Sequence, residues 1–256
     1  MSGTDNIEIP DRLLQRLSAN DAGFLQRVYS DGLDKYKKHL ARIGFIGVES
    51  ILDAGCGFGQ WTFAIAQTSK RAIGVDVDSE RLSVSIQLAS INDVKNVEFH
   101  RASLEDMPNF EETFDAVFCY SVVYLTDYHK VFRNFFRSLK KGGTLYICTN
   151  GPGWYLYNII EGPNPSMDFR PRWYGIQTFW NTLIRKRSGF SRSTGARIMT
   201  PSGTKRALNK SGFEVVALGA EGTLAIGDGQ ISQPASNYNA TYMGLVNVFE
   251  VIARKP

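Results

Sequence analysis

The sequence contains few cysteines and no long apolar segment. Cys56, Cys119 and Cys148 are too few for a disulfide framework and too widely spaced for a zinc site, so we expect no bound metal. Each lies in or beside an apolar, strand-like run, which is typical of a small buried thiol. No apolar run approaches the ~20 residues that cross a bilayer, and the polar, acidic N-terminus does not resemble a secretory signal. We therefore expect a soluble chain in a reducing, cytoplasmic compartment, with no transmembrane segment.

Acidic residues are missing from one long stretch. The 256 residues carry 29 Lys and Arg against 25 Asp and Glu, and 43% of them are hydrophobic, as in a globular protein. Residues 170–210 hold ten of the basic residues and no acidic one, so the rest of the chain is net acidic. A cationic stretch on an acidic body predicts an anionic partner, whether substrate, phosphate or surface.

Short strand-like runs alternate with helical patterns over most of the chain. We predict strands over Ser50–Ala54, Ala72–Val77, Val97–His100, Phe114–Tyr120, Thr144–Thr149, Phe213–Leu218 and Leu245–Ala253. The clearest helix is predicted over Asp127–Lys141, with Thr126 or Asp127 as its cap and Gly142 as its stop. This alternation predicts an α/β fold with a doubly wound, mostly parallel seven-stranded sheet.

The rhythm is interrupted in two places. Residues 1–48 have a helical pattern, and residues 151–199 hold three of the four tryptophans without a strand pattern. We therefore predict an N-terminal helical segment at 1–48, a core made of 49–150 and 200–256, and an inserted lid segment at 151–199. Because the insertion follows the fifth strand at the carboxyl end of the sheet, we expect it to cover a bound substrate.

The most specific motif is a glycine-rich turn directly after the first strand. The run Leu52-Asp53-Ala54-Gly55-Cys56-Gly57-Phe58-Gly59 opens a helix, so backbone N–H groups and the positive helix end face a ligand. Its glycine spacing departs from the G-x-G-x-x-G of dinucleotide sites. Asp76 ends the next strand, 21 residues beyond Gly55, where it can accept both ribose hydroxyls of an adenosyl group. Asp53 can fix the turn or the ligand's amino group.

With these motifs the chain resembles the class I S-adenosylmethionine-dependent methyltransferases of small-molecule type. The resemblance continues through Ala102–Pro108, Phe114–Val117, Leu139–Leu145 and Ser211–Val215. It implies a Rossmann-like methyltransferase fold and S-adenosyl-L-methionine as the cofactor. The cofactor-binding residues it implies are Asp53, Gly55, Cys56, Gly57, Gly59, Asp76, Val77, Ser103, Leu104 and Tyr120. In these roles the turn holds the methionine end, Asp76 the ribose, and Tyr120 borders the sulfur, while Val77, Ser103 and Leu104 meet the adenine.

The acceptor site is less well defined by the sequence. Aromatic residues that wall a pocket and arginines that grip an anionic group predict the substrate-binding set Tyr124, Trp154, Arg170, Arg172 and Trp173. We assign no catalytic base. His39 is expected on a solvated helix face, His100 in a structural role and His129 at the surface. The weaker candidates for a base are Tyr124, Glu161 and Asp168.

These observations predict an enzyme that transfers a methyl group to an O or N atom of a small, anionic molecule, with no nucleic acid as partner. One alternative is a lipid- or glycan-linked acceptor at a membrane surface, where a Trp-rich basic helix would lie. That helix would carry Trp173, Ile176, Trp180, Leu183, Ile184 and Arg187 at helical spacing. RNA methylation, suggested by the pI near 8.9, and a cofactor-binding scaffold without turnover stay open as well. The sequence does not specify the acceptor or the oligomeric state.

Overall fold

The structure is a computed structural model that describes residues 6–163, 170–184, 196–226 and 239–256. Asp168 and the basic residues Arg185, Lys186, Arg187 and Arg192, which the sequence singles out, lie outside the described residues.

A seven-stranded sheet forms the centre of the fold. The strands of the chain are β1 (Ser50–Ala54), β2 (Arg71–Asp76), β3 (Val97–Arg101), β4 (Phe114–Tyr120), β5 (Leu139–Asn150), β6 (Glu214–Ala220), β7 (Thr241–Tyr242), β8 (Leu245–Val246) and β9 (Val248–Arg254). The sheet order is β3-β2-β1-β4-β5-β9-β6, and β7 pairs with β8 outside it. Within the seven-stranded sheet only β9 runs antiparallel, and it lies between β5 and β6. The predicted doubly wound, mostly parallel seven-stranded sheet is confirmed.

Helices cover both faces of this sheet. They are α1 (Asp11–Leu14), α2 (Ala19–Tyr29), α3 (Asp34–Arg42), α4 (Gln60–Thr68), α5 (Ser79–Ile91), α6 (Tyr128–Ser138), α7 (Pro152–Ile160), α8 (Pro171–Ile184) and α9 (Pro201–Lys210). Successive residues of a strand point to opposite faces, so Phe118 packs with the α1–α5 side and Val117 with the α6 and α9 side. The carboxyl ends of β1, β2, β4 and β5 therefore meet at one edge, where ligands of such sheets bind.

The predicted helix over Asp127–Lys141 is shorter in the structure. Of the two caps left open, Asp127 accepts from the backbone N–H groups of His129 and Lys130. The helix ends at Ser138, and Leu139 already belongs to β5, where it pairs with Phe114. Gly142 is therefore not the helix stop: its N–H donates to Lys255 O over 2.9 Å, inside the strand region. Pairing of β5 with β4 and β9 outweighs the helical period of the sequence at Leu139–Lys141.

The predicted last strand, Leu245–Ala253, is two strands in the structure. Leu245 and Val246 pair with Tyr242 and Thr241, and only the residues from Val248 onward join the central sheet. Asn247 separates the two, because its backbone N–H donates to Ala240 O and its side chain to Asn239 O. The apolar run could not reveal this change of partner.

The three cysteines are free and buried, in agreement with the sequence. Among the helices in the described part of the chain, none is long and apolar enough to cross a membrane. Two helices, α7 and α8, lie within the predicted lid segment, and three, α1 to α3, lie within the predicted N-terminal segment. The boundaries of these units stay predictions.

Candidate active site

The turn between β1 and α4 brings bare backbone to the carboxyl edge of the sheet. Gly55, Gly57 and Gly59 all have positive φ, at +85°, +54° and +79°. A Cβ at Gly55 would come within 2.6 Å of Val122 Cγ1, whereas one at Gly57 would meet no atom within 4 Å. Gly55 is thus needed for a close approach and Gly57 for its backbone conformation. The N–H groups of Gly55 and Cys56 donate to Val75 O, and that of Gly57 donates to Asp76 Oδ2. These hydrogen bonds fix the shape of the turn, and Gly55 brings its backbone to the cavity beside it.

Asp76 ties this turn to the end of β2. Its Oδ2 accepts from Gly57 N over 2.8 Å, and its Oδ1 accepts from Asp78 N over 2.9 Å. Each carboxylate oxygen can accept a further hydrogen bond, so both remain able to receive a ribose hydroxyl. Asp76 can therefore hold the turn and a ligand at the same time.

A cavity of about 460 Å³ opens beside this turn, and we call it the cofactor cavity. Its lining consists of Gly55, Asp76, Val77, Arg101, Ala102, Ser103, Leu104, Glu105, Val122, Leu125 and Thr126. The structure thereby brings together five of the predicted cofactor residues. The glycine at the wall, the carboxylate at the rim and the apolar Val77 fit an adenosyl group, and the volume is that of a ligand site.

Two other predicted cofactor residues, Asp53 and Cys56, have buried side chains that stabilise the turn. Asp53 is buried, and its Oδ2 accepts from Thr62 Oγ1 over 2.6 Å, which fastens α4 to β1. Burial raises the pKa of Asp53 to about 7, against the lowering effect of the Thr62 hydrogen bond. The Cys56 side chain is buried against Gly74, whose added Cβ would lie 2.8 Å from its sulfur. Cys56 can therefore contribute its backbone to the turn, and its side chain belongs to the core.

Ser103 already has a local partner. Its Oγ accepts from Asp106 N over 3.2 Å and caps the single turn Leu104–Asp106. Both Ser103 and Leu104 are buried at the wall of the cofactor cavity. The Ser103 hydroxyl also donates to Asp106 Oδ2 over 3.4 Å, so a hydrogen bond from it to a ligand would replace this contact.

A second cavity, of about 240 Å³, lies next to the first, and we call it the acceptor pocket. It is lined by Tyr120, Ser121, Tyr124, Cys148, Thr149, Asn150, Trp154, Glu221 and Val248. Tyr120 and Ser121 face this pocket, and the next residue, Val122, faces the cofactor cavity, so one short segment separates the two. Ser121 has φ +59°, and strained non-glycine backbone of this kind is concentrated at functional sites.

Glu221 is the most unusual residue of the acceptor pocket, and it was not singled out in the sequence. Its side chain is 6% exposed. Its Oε1 accepts from the Tyr120 hydroxyl and from Cys148 Sγ at 3.5 Å. Burial, together with this carboxylate, raises the pKa of Tyr120 and of Cys148, so both stay protonated. In the described part of the chain no lysine or arginine forms an ion pair with Glu221, so the carboxylate charge is directed at the pocket.

A second buried carboxylate nearby is neutralised instead. Glu250 accepts from both Arg42 Nη atoms, at 2.7 and 2.9 Å, and from Tyr146 OH at 2.9 Å. His39 Nε2 lies 2.9 Å from the same Tyr146 hydroxyl. The expectation of a solvated His39 is wrong, because α3 turns this residue and Arg42 inward, beneath β5. Arg42 therefore neutralises Glu250, whereas none of the ion pairs found among the described residues includes Glu221.

The burial of His39 predicts a specific dependence of stability on pH. Burial, with Arg42 close by, lowers the pKa of His39 to about 3 from 6.5, so below pH 6.5 the unfolded chain takes up a proton that the folded chain does not. The contribution of neutral His39 to the free energy of unfolding is therefore complete above pH 6.5 and is lost as the pH falls. Asp53 acts in the opposite sense, because its raised pKa stabilises the folded chain at low pH and the effect is lost as the pH rises through about 7. The two largely cancel between pH 4 and 6.5 in the unmodified chain.

We expect His39→Gln to remove this balance. As the pH falls from 6.5 to 4, the variant's free energy of unfolding should rise relative to the unmodified chain by up to about 1.4 kcal/mol per pH unit. Urea unfolding at a series of pH values measures the difference in free energy of unfolding between the two proteins. The difference at pH 8 gives the baseline, because there it reflects only the change in packing. Parallel profiles for the two proteins would contradict the assignment.

The predicted substrate residues are divided by the structure. Tyr124 and Trp154 line the acceptor pocket, but Arg170, Arg172 and Trp173 do not. The Arg172 guanidinium donates to Ile160 O over 3.4 Å, at the far end of α7, and Arg170 is exposed. Trp173 is 65% exposed. Because α8 turns a different face toward α7, these three residues do not line the acceptor pocket, and their role in substrate binding stays a prediction.

The remaining candidates for a base do not meet at the pocket. His129 begins α6 half-buried, with its ring 4.3 Å from that of Tyr128, and burial lowers its pKa. His100 lies at the end of β3, beside Phe110. Glu161 is exposed and accepts from Tyr242 OH over 2.6 Å. Only Tyr124, of the candidates in the described residues, faces the acceptor pocket.

Sequence comparisons agree with this architecture. A family model described as a methyltransferase domain matches residues 51–143. A ubiquinone biosynthesis O-methyltransferase of Pseudomonas fluorescens Pf-5 is 33% identical over 165 residues, which cover 61% of this chain and 68% of that protein. Phosphoethanolamine N-methyltransferase 1 of Triticum aestivum is 29% identical over 146 residues, which cover 53% of this chain and 29% of that protein. About a third or more of each relative's length thus lies outside the similarity.

Solved structures show the same fold at low identity. Geranyl diphosphate methyltransferase in complex with SAM has a TM-score of 0.59 at 16% identity, covering 99% of this chain and 97% of that one. The cyclase SpnF has a TM-score of 0.60 at 18% identity, covering 89% and 82%. Because a cyclase shares the fold, the fold alone does not establish methyl transfer, and the sequence similarity is what carries the family assignment.

Proposed function

This chain belongs to the class I S-adenosylmethionine-dependent methyltransferases, and we propose that it methylates a hydroxyl group of a small molecule bound in the acceptor pocket. The observation that carries the proposal is the buried carboxylate of Glu221, which has no cationic partner among the described residues and faces a pocket adjoining the cofactor cavity. A nearby carboxylate favours a group that can give up a proton and disfavours an anion at the same point.

The cofactor residues act by binding and orientation. In the proposed complex the glycine turn holds the methionine end, Asp76 accepts from the ribose hydroxyls, and Val77 packs against the adenine. The segment Tyr120–Val122 then borders both the sulfur and the acceptor, so that the methyl group can reach the acceptor directly. When bound, S-adenosyl-L-methionine supplies an activated methyl group whose carbon–sulfur bond breaks with the electron pair remaining on sulfur.

Glu221 performs the proton transfer in this proposal. Its carboxylate accepts the proton of the acceptor hydroxyl as the hydroxyl oxygen forms its bond to the methyl carbon. Tyr120, which donates to Glu221 Oε1, fixes the orientation of the carboxylate. Trp154 and Tyr124 pack around the acceptor and help to exclude water, which strengthens the polar interactions in the pocket.

The size of the pocket restricts the acceptor. At about 240 Å³ it lies below the roughly 300–1,000 Å³ of sites for larger ligands. We therefore propose that only the reacting end of the acceptor fills it, and that the lid segment, residues 151–199, covers the rest. The anionic group predicted for the acceptor would lie away from Glu221, toward the cationic stretch of the chain.

The proposed reaction is tested by incubating the protein with a metabolite extract and S-adenosyl-L-methionine bearing a trideuterated methyl group. We expect products that carry the label as methyl ethers, and less of them when the Asp76→Ala variant replaces the unmodified protein at the same subsaturating cofactor concentration. Label found only in esters or N-methyl groups would contradict the hydroxyl acceptor. No labelled product would contradict methylation of a small molecule.

The anionic part of the acceptor is tested by a double substitution. Replacing Arg170 and Arg172 together by alanine should raise the acceptor KM about tenfold or more, since charge-assisted hydrogen bonds are lost, while cofactor affinity stays unchanged. Lys205→Ala, an exposed change on α9, serves as the control for charge alone. Equal KM values for the double variant and the control would contradict an arginine clamp.

A further inference from the structure

Helix α8 is oriented with its polar side inward. The face toward α7 carries Tyr174, Gly175, Thr178 and Asn181, and Thr178 is only 1% exposed. Tyr174 stacks on Tyr155 with ring centroids 6.2 Å apart, and a Cβ at Gly175 would lie 2.5 Å from Ile159 Cγ1. This close packing fixes the rotation of α8. A surface helix normally turns its apolar stripe to the core, so the arrangement is the reverse of the usual one.

The opposite face of α8 presents large apolar side chains to solvent. Trp173, Ile176, Trp180 and Leu183 recur at helical spacing and are 65%, 47%, 62% and 64% exposed. We call these four residues the α8 stripe. Scattered exposed hydrophobic residues are ordinary, but an aligned set with two tryptophans marks a surface that contacts another phase or molecule.

The charge of the residues that accompany the α8 stripe in the sequence indicates what the stripe contacts. Arg170 and Arg172, at the start of α8, are exposed, and the sequence from 170 to 210 contains ten basic and no acidic residues. Tryptophan favours the boundary between lipid tails and headgroups, and basic residues beside it favour anionic headgroups. A second copy of this chain would bring the same positive charge against itself. Ile176, between the two tryptophans, and Leu183, one turn after Trp180, suit lipid tails and offer nothing to a nucleic acid base or phosphate.

We propose that the α8 stripe docks onto the surface of an anionic lipid bilayer, with α8 lying in the plane of the interface. The stripe enters the headgroup region while the basic residues bind lipid phosphates. Tyr174 also packs against Trp154, 6.1 Å between ring centroids, and Trp154 lines the acceptor pocket. The docked helix therefore rests directly on a wall of that pocket. This proposal does not depend on which acceptor is methylated.

Vesicle flotation of the full chain tests the proposal. The probes are vesicles of phosphatidylcholine alone and vesicles containing equal shares of phosphatidylcholine and phosphatidylglycerol. We expect the protein to float with the anionic vesicles, and less so at high salt. The double variant Trp173→Ser with Trp180→Ser should bind the anionic vesicles at least about tenfold more weakly than the unmodified chain. Ile86→Ser, which removes a 53% exposed residue from α5, should bind them as the unmodified chain does.

Cofactor affinity measured on the same proteins shows that the variants are folded. Absence of flotation, or equal flotation of the double variant and the unmodified chain, would overturn the proposal. Self-association that the tryptophan substitutions abolish, without vesicle binding, would assign the α8 stripe to a second copy instead. Salt-sensitive retention of RNA in a gel without flotation would likewise overturn lipid docking in favour of a nucleic acid surface.

Discussion

Replacing Glu221 by glutamine is expected to lower kcat for methyl transfer by about 10²- to 10⁴-fold, the usual contribution of a positioned general base. Glutamine keeps the size of the side chain and can still accept from Tyr120, but it cannot take the acceptor proton. Affinity for S-adenosyl-L-methionine should change little, because Glu221 lines the acceptor pocket and not the cofactor cavity. Rapid-quench measurement of a single turnover separates the chemical step from product release.

Two further variants sharpen this experiment. Glu214→Gln alters an exposed glutamate at the opposite end of β6 and should leave kcat unchanged. Tyr120→Phe removes the donor that orients the carboxylate and should lower kcat less than Glu221→Gln does. A normal kcat for the Glu221→Gln variant would show that Glu221 does not accept the proton of the acceptor hydroxyl. A loss confined to cofactor affinity would instead move Glu221 to the cofactor site.

Replacing Asp76 by alanine is expected to weaken binding of S-adenosyl-L-methionine by about 1–3 kcal/mol, or roughly 5- to 150-fold. The substitution removes the hydrogen bonds to the ribose and also the acceptor for Gly57 N, so the glycine turn loses its link to β2. Asp76→Asn retains one carbonyl acceptor and should have a smaller effect. Isothermal titration calorimetry measures the cofactor affinity of the unmodified chain and of the two Asp76 variants.

The neighbouring Asp78 provides a matched control for Asp76. Its side chain caps α5 by accepting from Glu80 N and Arg81 N, and it does not line the cofactor cavity. Asp78→Ala should therefore lower stability and leave cofactor affinity nearly unchanged. Equal losses of affinity for Asp76→Ala and Asp78→Ala would mean that Asp76 acts only through the fold of this region.

The parallel half of the sheet and the cofactor cavity could be predicted because their signals are local. The order strand, glycine turn, helix, strand and carboxylate is contained between Ser50 and Asp76, and β1 and β2 pair in parallel, as do β2 and β3 and also β4 and β5. The residues at the carboxyl ends of these strands must then share one edge. Backbone conformation at Gly55 and Gly57 follows from the residue type itself.

Glu221 could not be predicted because its position depends on distant strand pairing. Strand β9, the last of the chain, inserts between β5 and β6, and Glu221 N donates to Val248 O within that arrangement. No motif surrounds Glu221, and an acidic residue followed by Gly222 is an ordinary turn signal. The prediction over Leu245–Ala253 was too long for a related reason, because Leu245 and Val246 pair with β7 outside the central sheet.

The rotation of helices about their own axes was also beyond the sequence. The spacing of Trp173, Ile176 and Trp180 correctly predicts one helical stripe, but the spacing alone does not decide whether the stripe walls a pocket or lies at a membrane surface. The structure turns it outward because Gly175 and Thr178 allow α8 to approach α7 closely. His39 shows the reverse error, since the adjacent lysines suggested solvent while the α3 face that holds His39 is buried.

The central claim is that the turn after Leu52 holds the adenosyl cofactor with its sulfur directed at the acceptor pocket. The most direct measurement is a crystal structure of the protein with S-adenosylhomocysteine. We expect the ribose hydroxyls to donate to the Asp76 carboxylate, and the thioether sulfur to lie at Tyr120–Val122, open toward Glu221. Adenosine bound outside the cofactor cavity, or sulfur turned away from the acceptor pocket, would contradict it.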